Sequence, residues 1–159
     1  IYESSFTLRN SDLVLSNGLI YLSNNNNELF ALDYKNGFIR WKQNVNSSLR
    51  PTIIGNILFT ITQEGYLILI DSKKGNIIRI TYIFENIKNV KKKNIKPTGF
   101  IVGKNKIYSS LSNGKMIIIN LVDGKASDII KIDGNKISRP YVFNKKMYVI
   151  KDNAILKIN

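Results

Sequence analysis

Apolar positions along the chain come in short runs, each closed by Gly, Asn, Asp or Lys rather than spaced along one helical face. Asn56–Thr62 (NILFTIT) is β-branched and aromatic. A Gln-Glu-Gly turn leads into Gly65–Asp71 (GYLILID), a Ser-Lys-Lys-Gly turn follows, and Asn76–Tyr82 (NIIRITY) is a third run. With Thr52–Ile54 in front, that segment predicts four short strands joined by tight turns. The runs are nearly continuous in apolar residues, as at Met116–Ile119, which predicts strands covered on both faces. No segment holds a 3.6-residue period for three turns, so the fold class is all-β.

The pattern also repeats. An apolar-aromatic pair recurs at Ile20-Tyr21, Leu58-Phe59, Ile107-Tyr108 and Met147-Tyr148. Twelve residues after the first three aromatics stand Asp33, Asp71 and Asn120; after the fourth the interval is eleven, to Asn159. Gly37, Gly75 and Gly124 follow four residues later, and each unit runs on to a proline, Pro51, Pro97 or Pro140. The periods are 38, 49 and 40, with extra residues in the second unit around Glu85–Lys96. Four strands per ~40 residues, stacked face to face, is the arithmetic of a β-propeller with four-stranded blades. A β-sandwich or open meander has similar turns but requires no such register. The Asp or Asn side chain can accept backbone N–H bonds in the turn, while Gly supplies a positive φ. The reading is one partial ring over 1–159. Residues 1–9 finish a preceding blade, blades follow at about 10–50, 51–96 and 97–139, and an incomplete one occupies 140–159.

Composition narrows the function. There is no Cys and no His, so this chain supplies no disulfide framework, thiolate nucleophile, Cys/His zinc site or Ser-His-Asp triad. Lys and Arg number 24 against 11 Asp and Glu, a net charge of +13. Yet 27 Ile, 21 Asn and 19 Lys stand beside only three Ala (Ala31, Ala126, Ala154), the mark of A/T-rich codons. The charge therefore reports base composition before it reports a nucleic-acid partner. Its densest run, Lys88, Lys91–Lys93 and Lys96, has no interleaved aromatics for base stacking and reads as a solvated loop. No nucleic acid is assigned; an anionic membrane surface or an acidic protein face is the partner such a loop would suit. Asn24–Asn27 reads as a solvated hairpin tip. No run of ~18 apolar residues crosses a bilayer. The chain opens on Ile1 in mid-pattern, which reads as a fragment or processed piece.

Ala31-Leu-Asp33-Tyr-Lys-Asn-Gly37-Phe-Ile-Arg-Trp41 resembles the tryptophan-docking motif of the quinoprotein-like propellers, Ala-x-Asp-x-x-x-Gly-x-x-x-Trp. The resemblance implies that Trp41 packs between blades. In the next two units Arg79 and Asp128 stand where Trp would, so docking there is expected to be degenerate. Within that superfamily the chain is similar to the BamB family, periplasmic lipoproteins of the outer-membrane β-barrel assembly machinery. The likeness rests on Ser5-Phe6-Thr7-Leu8-Arg9, which resembles that family's Leu-x-Leu-Arg segment, and on the stretch from Ile119-Asn-Leu-Val-Asp-Gly124 through Arg139-Pro140 to Asn159. It implies an eight-bladed ring, anchored by lipid at an upstream cysteine on the periplasmic side of the outer membrane. It implies a scaffold with no enzymatic activity and no cofactor, and docking through Phe6, Leu8 and Arg9 on the POTRA domains of the barrel-inserting subunit, BamA. The family's acidic residues in the next inter-blade loop are missing from Asn46–Pro51, which carries Arg50 instead. The enzyme reading would be a dehydrogenase binding pyrroloquinoline quinone, which resembles this chain in the docking motif but also calls for a vicinal Cys pair and a calcium-binding carboxylate set. Another propeller, such as a sensor ectodomain, is the remaining alternative.

Overall fold

The computed structural model describes residues 7–85, 87 and 95–158. Those residues form fifteen strands and no helix. β1 (Val14–Ser16), β2 (Leu19–Asn24), β3 (Glu28–Asp33) and β4 (Ile39–Gln43) make the first sheet. β5 (Thr52–Ile54), β6 (Ile57–Ile61), β7 (Tyr66–Asp71) and β8 (Ile77–Tyr82) make the second. The third holds β9 (Pro97–Val102), β10 (Lys106–Leu111), β11 (Lys115–Asn120) and β12 (Ala126–Lys131), and the fourth β13 (Tyr141–Phe143), β14 (Lys146–Lys151) and β15 (Ala154–Ile158). Every sheet is an antiparallel meander in chain order. This is the propeller pattern: local hairpins build each blade, and blades touch only their neighbours.

The core lies between sheets. Tyr21, Leu29, Ala31 and Trp41 of the first sheet pack against Leu58, Ile68 and Ile70 of the second. Phe59, Ile61, Leu67 and Leu69 on the second sheet's other face meet Phe100, Ile107, Ile117 and Ile119 of the third. Met116 and Val149 join the third to the fourth. Burial on both faces therefore holds for β6 and β7 but not for the outer strands β4, β8 and β12, which keep an exposed side. The far faces of the terminal sheets are apolar too: Leu15 and Ile39 on the first, Ile150 and Ile155 on the fourth, are all exposed.

Strand register gives the repeat a sharper alignment than the prolines. Val14 pairs Tyr21, Thr52 pairs Phe59, Ile101 pairs Tyr108 and Tyr141 pairs Tyr148. Counting back from these partners, Pro51 and Pro140 are equivalent, but Phe100 and not Pro97 takes that place in the third unit. β9 begins earlier and absorbs the offset in a bulge between Ser110 and Leu111. A second irregularity falls at one place in three blades, after Ala31, Leu69 and Ile118, where the outer strand carries one extra residue.

Candidate docking sites between blades and at the inter-blade loops

The turn that leads into each outer strand is built locally. Asp33 Oδ1 accepts from Lys35 N at 3.0 Å, Asp71 Oδ1 from Lys73 N and Lys74 N at 2.9 and 2.8 Å, and Asn120 Oδ1 from Val122 N at 2.9 Å. Gly37 N, Gly75 N and Gly124 N donate back to the carbonyls of Asp33, Asp71 and Asn120. Arg40, the extra residue of the first bulge, reaches Asp33 Oδ2 at 2.7 Å. That guanidinium, followed by the Lys35 N–H, holds the Asp33 carboxyl below its ordinary range.

The turns at Gly75 and Gly124 receive the preceding blade. Trp41 lies across Gly75, where a Cβ would fall 2.7 Å from its ring, and its Nε1 donates to the Ser72 carbonyl at 2.8 Å. The buried Tyr21 hydroxyl donates to the same carbonyl at 3.1 Å, with the two rings 6.0 Å apart. At the next interface Arg79 occupies the equivalent place. Its Nη2 donates to the Leu121 carbonyl at 2.9 Å and its Nη1 to the Val122 carbonyl, and a Cβ at Gly124 would crowd Thr81 and Arg79. The docking expected to be degenerate in the second unit is thus made by a different group, one fork of donors replacing one indole N–H. Asp128, in the third unit, instead accepts from its neighbour Ile129 N and stays exposed. Around Gly37 nothing lies within 4 Å of a Cβ position.

The loop ends of the blades hold the partner-docking candidates. Leu8 is 51% exposed and Arg9 is exposed, and neither belongs to a strand. Phe6 lies outside the described residues, as do residues 88–94 of the Lys-rich insertion. Sequence reasoning missed what holds Leu8 and Arg9. Asn25 Oδ1 accepts from Arg9 N at 2.7 Å, Asn25 Nδ2 donates to the Thr7 carbonyl at 3.0 Å, and Asn25 N donates to the Arg9 carbonyl at 3.1 Å. Asn24 is buried, donates to Glu28 Oε2 at 2.8 Å and bridges Asn10 and Asn46. Asn26 and Asn27 form the solvated hairpin tip that the sequence predicts, while Asn24 and Asn25 act as a clamp. Its only signal in the sequence is the run of four asparagines, residues able to donate and accept at once. Among the described residues no group of three or more His, Cys, Asp or Glu could hold a metal ion.

The family described as "Outer membrane protein assembly factor BamB" matches residues 2–81, half of the chain, and the chain belongs to that family. The structure is similar to BamB from Moraxella catarrhalis (TM-score 0.71, 12% identity), covering 92% of this chain and 41% of that one. It is also similar to two computationally designed proteins, Ika8 (TM-score 0.69, 13% identity, 91% of this chain and 43% of that one) and Ika4 (0.72, 11%, 98% and 93%). At these identities the structural likeness concerns the β-propeller fold alone. This chain spans about two-fifths of the Moraxella protein. No curated protein matches it.

Proposed function

We propose that the protein is a non-enzymatic scaffold of outer-membrane β-barrel assembly, acting on the periplasmic side of the outer membrane as a lipid-anchored C-terminal portion of a BamB-type ring. The observation that carries this is the family match over residues 2–81, a stretch that contains the Leu8-Arg9 segment and the asparagine clamp beneath it. A scaffold needs rigid loops that present side chains outward. The clamp fixes the backbone on both sides of Leu8, so the exposed leucine and arginine meet a partner with little further ordering, which favours binding. An aliphatic side chain beside an Arg is a common anchor at protein interfaces. The partner is the POTRA region of the barrel-inserting subunit, BamA, with Phe6, Leu8 and Arg9 as the contact. The carboxylates Asp33 and Asp71 are engaged in turns, which supports a scaffold over a quinone-dependent dehydrogenase.

The test is binding of isolated POTRA domains by calorimetry. Leu8→Ala with Arg9→Glu should weaken it by about 2 kcal/mol or more, the scale of interface hot spots. Unchanged affinity would refute the site, and no binding by the unaltered protein would refute the partner.

A further inference from the structure

We propose that the mouth formed by the inter-blade loops is a cationic socket that receives an acidic segment of a protein partner. Aligned by strand register, Arg9, Ser47, Lys96 and Lys136 occupy one position in the four units, five residues ahead of Val14, Thr52, Ile101 and Tyr141. Three of the four are cations. All three line one cavity of about 330 Å³, closed by Ser48, Leu49 and Gln63 and lined mostly by polar surface. Three residues further along each unit, the equivalent positions are Asp12, Arg50, Gly99 and Arg139. Arg139 lies where a Cβ on Gly99 would collide with it, and its Nε donates to the Phe100 carbonyl at 3.1 Å. Burial first, then repulsion from Arg50, lowers its pKa, with Tyr141 and Asp12 acting oppositely. Three cations from three separate loops thus line one cavity, and a second pair, Arg50 and Arg139, lies close enough together to repel, with Asp12 offsetting part of that charge. Among the described residues none of the five has a salt-bridge partner.

Like charges do not gather at one spot for the fold's benefit, since their repulsion opposes it. Guanidinium forks and ammonium groups at one small opening match carboxylates, which Arg binds through two parallel bonds. The cavity is at the small end for ligand sites. It admits side chains from a loop and excludes a nucleic-acid duplex. The asparagine clamp fixes Arg9 in this ring, so the socket adjoins the docking patch. The inference rests on the scaffold reading for where a partner sits, not for the chemistry of the socket.

The test uses the 159-residue chain and fluorescent hexaglutamate, read by anisotropy at low salt. Saturable binding is expected, weakened at least tenfold by Lys96→Glu with Lys136→Glu. Lys73→Glu with Lys74→Glu, the same charge change in the turn at the other end of the second sheet, should leave it unaltered. All four lysines are exposed, and unchanged melting temperatures confirm folding. Absence of saturable binding, or equal loss in the Lys73/Lys74 variant, overturns the proposal. Inorganic phosphate competing as well as the peptide at equal charge overturns it in favour of a phosphate site. Hexaglutamate binding without POTRA binding leaves the socket standing and removes only the partner; POTRA binding without hexaglutamate binding does the reverse.

Discussion

The Ser72 carbonyl is the place where the first two blades can be uncoupled by single atoms. It is buried, and it accepts both the Trp41 indole N–H at 2.8 Å and the Tyr21 hydroxyl at 3.1 Å. Trp41→Phe removes one donor and keeps most of the apolar surface; Tyr21→Phe removes the other and keeps all of it. Each single variant leaves the carbonyl with a partner, so the loss of that hydrogen bond should cost about 0.5–1.5 kcal/mol. The double variant leaves a buried acceptor with neither, which adds a desolvation penalty of about 1–3 kcal/mol. The cycle should therefore show a coupling on the order of 1 kcal/mol, the double variant being less stable than the sum of the singles. Trp41→Ala, which also opens a cavity, should cost about 3–5 kcal/mol. Trp41 is the only tryptophan, so the assay is urea denaturation followed by far-ultraviolet circular dichroism, comparing midpoints at constant slope. Additivity within about 0.3 kcal/mol would refute the shared-acceptor argument.

Gly37 and Gly75 have nearly the same φ, +73° and +79°, but only Gly75 lies under a docked side chain. Gly37→Ala should cost the left-handed penalty of about 1–2 kcal/mol, and Gly75→Ala that plus about 1–3 kcal/mol of overpacking against Trp41; equal midpoints for the two would sink the docking account. Arg79→Met should destabilise by about 0.5–1.5 kcal/mol, chiefly by taking the donor from the half-buried Leu121 carbonyl while the exposed Val122 carbonyl turns to water, measured by the same denaturation and contradicted by a neutral result. Asp33 has a folded-state pKa below its unfolded value, so its contribution is complete above the unfolded pKa and fades as the pH falls through the folded one. Arg40→Ala should raise the Asp33 midpoint in an NMR titration of its carboxyl, and an unmoved midpoint would count against the pairing.

The fold was legible because it repeats. A turn pattern within five residues, copied at a near-constant interval, fixes strands, hairpins and stacking together, whatever the overall amino-acid bias. The proline marker misled in the third unit because a bulge next to Leu111 slides β9 relative to its partner, and a bulge leaves no sequence signature beyond length. Contacts between blades were less legible. Arg79 does by charge-assisted bonds to two carbonyls what Trp41 does by an indole N–H and a flat ring, and motif matching sees only the loss of Trp. Asn25 holds Thr7 and Arg9 from 16 to 18 residues away, a distance at which a polar hairpin tip carries no mark of its partner. The cations at the socket were equally hidden: each is one lysine or arginine among 24, and only strand register shows that three share a position.

The docking turns have a further consequence. The outer strands of the first two sheets each give a side chain, and the turn of the following sheet takes it over a glycine. The contact has a donor end and an acceptor end, so sheets can join in one direction only, like couplings on a train. The open ground above Gly37 is an acceptor with the same backbone as the one filled at Gly75. A sheet stacked there in the same direction would present its outer strand to that turn. The two couplings are also not interchangeable, because an indole makes one and a guanidinium fork the other. A unit moved to another place in the order would meet a turn shaped for a different group, and the order of units is thereby written into the contacts themselves.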